Sequence, residues 1–91
     1  MGSQVVGVLL FGPARDAAGG RSVINLEFTE NDVHLARVRK IIQESYPELR
    51  LLLESSIFAV DNRMVPKSKE STTSIIPGQT EIVLVPPVSG G

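Results

Sequence analysis

The stretch "QVVGVLLF", residues 4 to 11, is almost wholly apolar and rich in β-branched residues. This composition is typical of a strand that is buried on both faces in the middle of a sheet. A second apolar stretch, "TEIVLV" at residues 80 to 85, predicts a strand near the end of the chain. We expect the two strands to lie side by side as a parallel pair in the centre of one sheet.

The segment that follows the first strand predicts a hairpin. "GPARDAAGGR", residues 12 to 21, is broken by glycine at both ends and has room for about one helical turn. "SVINLEF", residues 22 to 28, alternates apolar and polar side chains, which is typical of a strand with one buried and one solvent-exposed face. The first two strands are therefore expected to pair around a short loop.

A helix is predicted from Asp32 to Ser45. Thr29 and Asp32 stand three residues apart and resemble an N-cap followed by an acidic residue in the first turn. Apolar side chains then recur at helical spacing, so one face should cover the sheet. The positions expected to pack on the sheet are Leu35, Val38 and Ile42, and those expected to face water are Arg37, Arg39, Lys40, Gln43 and Glu44.

The second half of the chain predicts shorter elements. Pro47 ends the helix, and "ELRLLLE" at residues 48 to 54 predicts a short turn or helix. "SIFAV" at 56 to 60 predicts a strand, which a turn at "DNR" connects to a brief edge strand, "MVP". Residues 67 to 74 are polar and are expected to form a loop before a turn at Pro77-Gly78.

This order of elements predicts an α+β fold of the β-grasp (ubiquitin-like) type. A mixed sheet of about five strands would carry one main helix on one face. With 91 residues, of which 42% are apolar, the chain can form one small domain. We expect this domain to span residues 1–85 and an extended tail to span residues 86–91.

Composition argues against several classes of function. The nine basic and ten acidic residues are scattered, so neither DNA nor RNA is an expected partner. The chain has no cysteine and no apolar run long enough for a membrane span, which favours a cytosolic protein without a membrane partner. His34 is the only histidine and is expected to be a solvated helix residue, so neither a metal site nor a bound cofactor is predicted.

The last six residues, "PPVSGG", are the strongest functional signal in the chain. Pro86 and Pro87 favour an extended backbone, so the tail should project from the last strand by up to about 20 Å. Val88 offers an apolar anchor and Ser89 a hydrogen bond. Gly90 and Gly91 have no side chains, so the backbone can enter a narrow channel and present the terminal carboxylate. A frayed terminus without a function is the plain alternative.

The sequence resembles a known family in three places. "VLLFGPARDAAG", "FAVDNRMV" and "PGQTEIVLVPPVSGG" are similar to the small, sulfur-carrying subunits of molybdopterin synthase, members of the MoaD/ThiS-like ubiquitin-like family. The resemblance runs along nearly the whole chain. Gln79 and Thr80 stand between the Pro-Gly turn and Glu81, where the family usually has an acidic pair, which suggests one extra residue in this turn.

The resemblance implies a carrier that is not an enzyme on its own. A ubiquitin-activating-type adenylyltransferase would join AMP to the Gly91 carboxylate, and sulfur would then displace AMP to leave a thiocarboxylate. This group would donate sulfur to a pyranopterin precursor in the large catalytic subunit, within a heterotetramer of two small and two large subunits. Two such transfers would build the dithiolene of the molybdenum cofactor.

Several residues beside the tail are candidates for contact with such partners. Phe11, Leu84 and Val85 match positions near the family's partner-facing surface, although each could equally belong to the core. Leu84 and Val85 must face opposite sides of their strand. Arg15, next to Asp16, is either a partner contact or half of a solvated ion pair of little energetic weight.

Three other functions compete with molybdopterin synthesis. A ubiquitin-like protein modifier would also be adenylated at Gly91, but it would end in an isopeptide bond to a lysine of a target protein. A thiamine-pathway sulfur carrier would share the Gly-Gly end, although such chains are usually shorter and lack the proline pair. An interaction module with an inert terminus would keep its function without Gly91.

Overall fold

Two segments of the chain, residues 4–29 and 33–86, are described by the computed structural model. Within them, the elements in chain order are β1 (Gln4–Leu10), α1 (Gly12–Ala17), β2 (Val23–Phe28), β3 (Val33–His34), α2 (Leu35–Ser45), α3 (Arg50–Ser55), β4 (Ile57–Val60), β5 (Arg63–Val65), β6 (Ser74–Ile75) and β7 (Ile82–Val85). Short 3-10 helices span Pro47–Leu49 and Lys67–Thr72. None of the described helices is long and apolar enough to cross a membrane.

The main sheet has the strand order β2-β1-β7-β4-β5. β1 and β7 are parallel, with Leu9 opposite Val83, and the other neighbours are antiparallel. The predicted central pair, the first hairpin and the edge position of β5 are therefore confirmed. Together with α2 on one face, this mixed five-stranded sheet is the predicted β-grasp fold.

The core lies between the sheet and α2. β1 and β2 bury alternate residues, as their period of two requires, and α2 buries one stripe. The residues of these elements that are at most 3% exposed are Val6, Val8, Leu10, Ile24, Leu26, Phe28, Leu35, Val38 and Ile42. The apolar positions predicted for the main helix are thus confirmed.

The prediction that β1 is buried on both faces is wrong. Val5 is 48% exposed, and Gly7 and Leu9 are only partly buried. β1 is central because strands bond to both of its edges, whereas α2 covers only one face of the sheet. A continuous apolar run indicates that a strand is largely buried, but it does not indicate whether other elements pack on one face of the sheet or on both.

The main helix begins at Leu35 and not at Asp32. Its N-cap residue is His34, which makes no side-chain capping bond, so Thr29 is not the cap that the sequence suggested. His34 lies in β3 and pairs with Ser74 of β6, which contradicts its prediction as a helix residue. The backbone is held extended here because β3 pairs with β6 and the N–H of Leu35 donates to the carbonyl of Thr73 at 2.9 Å.

The predicted loop at residues 67 to 74 is ordered into secondary structure. Lys67–Thr72 forms a 3-10 helix, and β6 begins at Ser74. The helix has a buried acidic residue, Glu70, which is 4% exposed. A polar sequence without a clear period gave no indication of this because the segment is held by a contact with a distant helix.

Arg39 provides that contact, although the sequence predicted that it faces water. Its Nε and Nη2 donate to the Glu70 carboxylate at 2.7–3.1 Å, and the two side chains are 12% and 5% exposed. Nη1 donates to the carbonyl of Leu53, and Nη2 to that of Ser56. The guanidinium also lies 4.9 Å from the centre of the Phe58 ring. Arg39 therefore ties α2, α3, β4 and the Lys67–Thr72 helix together.

Candidate functional site

The tail follows the C-terminal end of β7, which lies next to the C-terminal end of β1. β7 ends at Val85, and Pro86, the last described residue, is partly buried. Because β1 and β7 are parallel with Leu10 opposite Leu84, the chain leaves both strands at the same end, at Phe11 and Val85. Ile57 faces Val85 from the other side. The predicted site residues beyond this point, Pro87, Val88, Ser89, Gly90 and Gly91, lie outside the described residues.

Phe11 stands on the surface beside this base. Its side chain is 57% exposed, so it is available for a partner and is not a core residue. Its carbonyl accepts the Ala14 N–H at 3.1 Å, which starts α1, and Gly12 has a φ of +53°. This left-handed conformation is easy for glycine and lets the chain turn sharply after β1. The turn places an aromatic side chain at the rim of the sheet.

The face of the sheet opposite α2 carries an apolar row across all five strands. The register places side chains next to one another in the order Val23, Leu9, Val83, Ala59 and Met64. These residues point away from the core because each alternates with a buried neighbour in its strand. Met64 is 56% exposed. The row lies in the half of the sheet that is nearer to the tail.

A second, shorter row continues the same surface to the tail itself. Val85 pairs with Ile57, and both side chains lie on the face of the sheet opposite α2, where they are partly exposed. Leu84 is fully buried. Leu84 and Val85 thus face opposite sides, as expected. We call the whole surface the tail-side patch, which consists of Leu9, Phe11, Val23, Ile57, Ala59, Met64, Val83 and Val85.

The sequence analysis selected only Phe11 and Val85 from this patch. The alternation within "SIFAV" and "TEIVLV" could have indicated that Ile57, Ala59 and Val83 share a face. It could not have indicated the register of the strands or that β4 lies beside β7, because these depend on the pairing of distant segments. The patch is therefore visible only once the register is known.

Arg15 supplies a positive charge close to the patch. It is exposed on α1, four residues after Phe11, and its Nε donates to the carbonyl of Gly20 at 3.4 Å. Such a weak contact leaves the remaining guanidinium donors directed to solvent or to a partner. Arg15 and Phe11 flank the same end of β1.

Groups that could perform chemistry are not gathered at this site. In the described part of the chain, no three residues of the His, Asp and Glu types come close enough together to hold a metal ion. His34 lies in the β3–β6 pair, which is a separate sheet from the five strands that carry the patch. What the described residues bring together around the end of β7 is an apolar surface with an adjacent cation.

The turn at Pro77-Gly78 is closed by three hydrogen bonds to Ile76. The amides of Gln79 and Thr80 both donate to the carbonyl of Ile76 at 2.9 Å, and the Thr80 hydroxyl accepts the Ile76 N–H at 2.8 Å. Gly78 has a φ of +82°. The turn thus closes on itself, so β7 starts in register with its neighbours.

Comparison with solved structures identifies relatives of the same fold. The chain is similar to SAMP1 from Haloferax volcanii, with a TM-score of 0.73, 16% identity, and coverage of 96% of this chain and 99% of that chain. It is also similar to the small archaeal modifier protein 1 from Methanosarcina acetivorans, with a TM-score of 0.69, 22% identity and full coverage of both chains.

A third similar structure comes from a complex of two subunits. It is the complex of subunits 1 and 2 of Molybdopterin-converting factor from Helicobacter pylori 26695, with a TM-score of 0.63 and 28% identity. The alignment covers 96% of this chain and 99% of that chain. No curated protein matches the sequence significantly. A model of the ThiS family matches residues 8–91, which is nearly the whole chain including the tail, and the chain therefore belongs to the ThiS family.

Proposed function

We propose that this chain is the sulfur-carrier subunit of a molybdopterin synthase and that Gly91 carries the sulfur. The proposal rests chiefly on one observation, the tail-side patch around the base of "PPVSGG" in a chain of the ThiS family. A sulfur carrier must bind its partner through the folded domain while its C-terminal residue reacts in the partner's active site. An apolar surface beside the tail is suited to that binding. In this proposal the cycle takes place in the cytosol.

The chemistry begins at the terminal carboxylate, which is a poor acyl donor until it is activated. In the proposed cycle an oxygen of Gly91 attacks the α-phosphorus of ATP and pyrophosphate leaves, so that an acyl-adenylate forms. A hydrosulfide-level sulfur donor then attacks the acyl carbon, AMP leaves with the C–O bond electrons, and one proton is released. The product is a thiocarboxylate. In this proposal AMP and then sulfur are bound covalently to Gly91 in turn, and the folded domain binds no cofactor of its own.

The sulfur acceptor is a pyranopterin precursor held by a large catalytic subunit. In each transfer the acceptor carbon gains a bond to sulfur and loses an oxygen substituent, while water cleaves the acyl carbon–sulfur bond and returns Gly91 to a carboxylate, so two transfers supply the dithiolene. The small chain provides no general base or metal in this scheme. It acts as a sulfur-donating subunit, and the residues that hold the precursor belong to the partner.

The folded domain contributes most of the binding energy to the partner. A six-residue tail is too small for a stable complex, because ordering it costs entropy and standard interfaces bury roughly 1,600 Å². We propose that the tail-side patch and Arg15 dock on the large subunit while residues 86–91 enter its active site. One small subunit at each end of a large-subunit dimer gives a heterotetramer. The complex from Helicobacter pylori, in which subunits 1 and 2 are joined, supports a partner of this kind.

Two alternatives use the same tail. A protein modifier would join Gly91 to lysines of target proteins, and the similarity to small archaeal modifier proteins keeps this function in view. A thiamine-pathway carrier would make the same thiocarboxylate and give its sulfur to a different acceptor. All three functions begin with adenylation, so they differ only in where the acyl group or its sulfur goes.

Intact-mass spectrometry of the chain from its native cells tests the proposal. A thiocarboxylate adds about 16 Da to the chain, because one oxygen is replaced by sulfur. We expect this species, together with transfer of its sulfur to the pyranopterin precursor when the large subunit is added. Conjugates on larger proteins without the thiocarboxylate would instead establish the modifier. A thiocarboxylate that serves only thiamine synthesis would establish the other carrier.

A further inference from the structure

A groove runs beside β5, at the edge of the sheet opposite β2. It has a volume of about 560 Å³. Its apolar lining comes from Val60, Val65 and Pro66, and its polar rim includes one acidic residue, Asp61, two basic residues, Arg63 and Lys69, and Thr73. The β4–β5 hairpin forms one wall, and the Lys67–Thr72 helix with Thr73 forms the other. The groove therefore has an apolar floor and a basic rim.

The free edge of β5 offers backbone hydrogen bonds to this groove. β5 is the last strand in the sheet order, so its second edge has no neighbouring strand among the described residues. Asp61 and Asn62 have φ values of +50° and +69°, as in a two-residue hairpin turn of type I′. In such a hairpin, the pair that flanks the turn is hydrogen-bonded and the next pair is not. The N–H and C=O of Met64 consequently point away from β4, and Met64 lines the groove.

The rim of the groove is positively charged in a chain that has a net charge of −1. Residues 61–69 contain three basic side chains and one acidic side chain. Arg63 and Lys69 are exposed, and neither side chain has a hydrogen-bond or ion-pair partner within residues 4–29 and 33–86. The acidic member, Asp61, already accepts the N–H of Glu81 at 3.0 Å. The two cations are thus available to an anionic ligand.

Both walls of the groove are held by contacts with the rest of the domain. The Lys67–Thr72 helix is tied to α2 through the ion pair of Glu70 with Arg39. The Thr73 hydroxyl donates to the carbonyl of Lys69 at 2.7 Å, and the Thr73 carbonyl accepts the Leu35 N–H. On the other wall, the Asp61 N–H donates to the carbonyl of Glu81 at 2.9 Å. A groove that is fixed before binding loses little entropy when it is filled.

We propose that this groove binds an extended peptide of apolar and acidic residues from a partner protein, which adds to β5 as a short sixth strand. The peptide backbone bonds to the N–H and C=O of Met64, an apolar side chain contacts Val65 and Pro66, and carboxylates pair with Arg63 and Lys69. This is strand addition at a sheet edge, in which backbone bonds give affinity and pockets give specificity. Pro66 ends the edge and keeps the added strand short. Met64 also belongs to the tail-side patch, so the groove adjoins the proposed docking surface, but the groove takes no part in the sulfur chemistry proposed for Gly91.

Selection from a phage-displayed library of random heptapeptides tests the proposal with the intact chain as bait. We expect the recovered peptides to have an apolar centre flanked by aspartate or glutamate, and their affinities can be measured by fluorescence anisotropy of labelled synthetic copies. In amide hydrogen exchange, the Met64 N–H should exchange quickly in the free chain and more slowly with peptide bound. Higher salt should weaken binding, because exposed charges are screened.

Charge reversal localises the peptide. Arg63→Glu and Lys69→Glu should each weaken binding by about three- to tenfold, as expected for an exposed ion pair that becomes a repulsion. Lys40→Glu is the matched control, since Lys40 is an exposed cation of α2 that does not line the groove, and it should leave affinity unchanged. Arg63→Lys should keep most of the binding, and melting curves confirm that each variant is folded.

Several outcomes would overturn the proposal. A library that yields no binding peptide would contradict it, as would peptides that bind the two reversal variants as tightly as the natural chain. Protection could appear at Leu9 and Val83 of the tail-side patch while Met64 exchanges as before. Concentration-dependent dimerisation that protects Met64 without peptide would assign the edge to a second copy of the chain.

Discussion

Truncation of Phe11 to alanine separates docking from folding. Phe11 is 57% exposed, and a phenylalanine side chain has an area of roughly 150–250 Å², so about 110 Å² is available to a partner. At about 25 cal/mol per Å² this area corresponds to an upper limit of about 3 kcal/mol. Alanine retains a part of the contact, so we expect Phe11→Ala to weaken binding to the large subunit by about 1–3 kcal/mol, or about 5- to 150-fold in Kd. The cost in folding free energy should be about 1 kcal/mol, well below the roughly 3–5 kcal/mol of a buried phenylalanine.

Isothermal titration against the large subunit, together with a denaturant melt, measures both quantities. Leu51→Ala is the matched control, because Leu51 is 83% exposed on α3 and lies outside the tail-side patch. It should change neither the affinity nor the folding free energy appreciably. A folded Phe11→Ala variant that binds as tightly as the natural chain would refute the assignment of the patch. Equal weakening by Leu51→Ala would show that the effect is not specific to the patch.

Three further predictions concern the tail and the buried ion pair. Deletion of Gly91 should leave the melting curve unchanged and abolish adenylation, measured as ATP–pyrophosphate exchange; any residual molybdopterin formation by the truncated chain would contradict a carboxylate role. Gly90→Val should sharply lower sulfur transfer in a single-turnover assay at unchanged thermal stability, because a β-branched side chain obstructs a narrow channel, and a parallel loss of stability would make the residue structural. Glu70→Ala should cost about 3 kcal/mol of unfolding free energy, the lower end of the range for a broken buried pair, because Arg39 loses its counter-ion but keeps its bonds to the carbonyls of Leu53 and Ser56, while Arg39→Met with Glu70→Leu together should cost less; equal losses in urea melts of the single and double variants would argue against the ion pair.

Local patterns predicted those elements whose period is regular. The alternation of Ile24, Leu26 and Phe28 identified β2, and the helical spacing of Leu35, Val38 and Ile42 identified α2. Pairing of distant segments limited the accuracy elsewhere. The strand at Val33–His34 displaced the predicted cap at Thr29, because its partner lies some forty residues later in the chain. The local sequence pattern does not predict that β3 pairs with β6.

The site was predictable in part for the same reason. The tail stood out from its composition alone, and Phe11, Leu84 and Val85, at the ends of the two central strands, could be connected with it, although the structure buries Leu84 in the core. The rest of the patch required knowledge of which strands are neighbours, since Val23 and Met64 lie at opposite edges of the sheet and share a row only through Leu9, Val83 and Ala59.

The order of elements and the chemical character of the tail could be predicted from local patterns, because apolar period, proline and glycine act on the backbone nearby. The central parallel pair followed from that order, since the first and last strands are the two continuously apolar ones. Which side chains are buried and which are exposed could be learned only from the tertiary structure. It buried Arg39 against Glu70, which sequence had placed in water, because that carboxylate, thirty-one residues away, could satisfy its charge. Within residues 4–29 and 33–86 it also left one face of an apolar strand uncovered, because the described helices pack on the other face of the sheet. A side chain's own chemistry fixes what it can do, and the register of distant strands fixes what it touches.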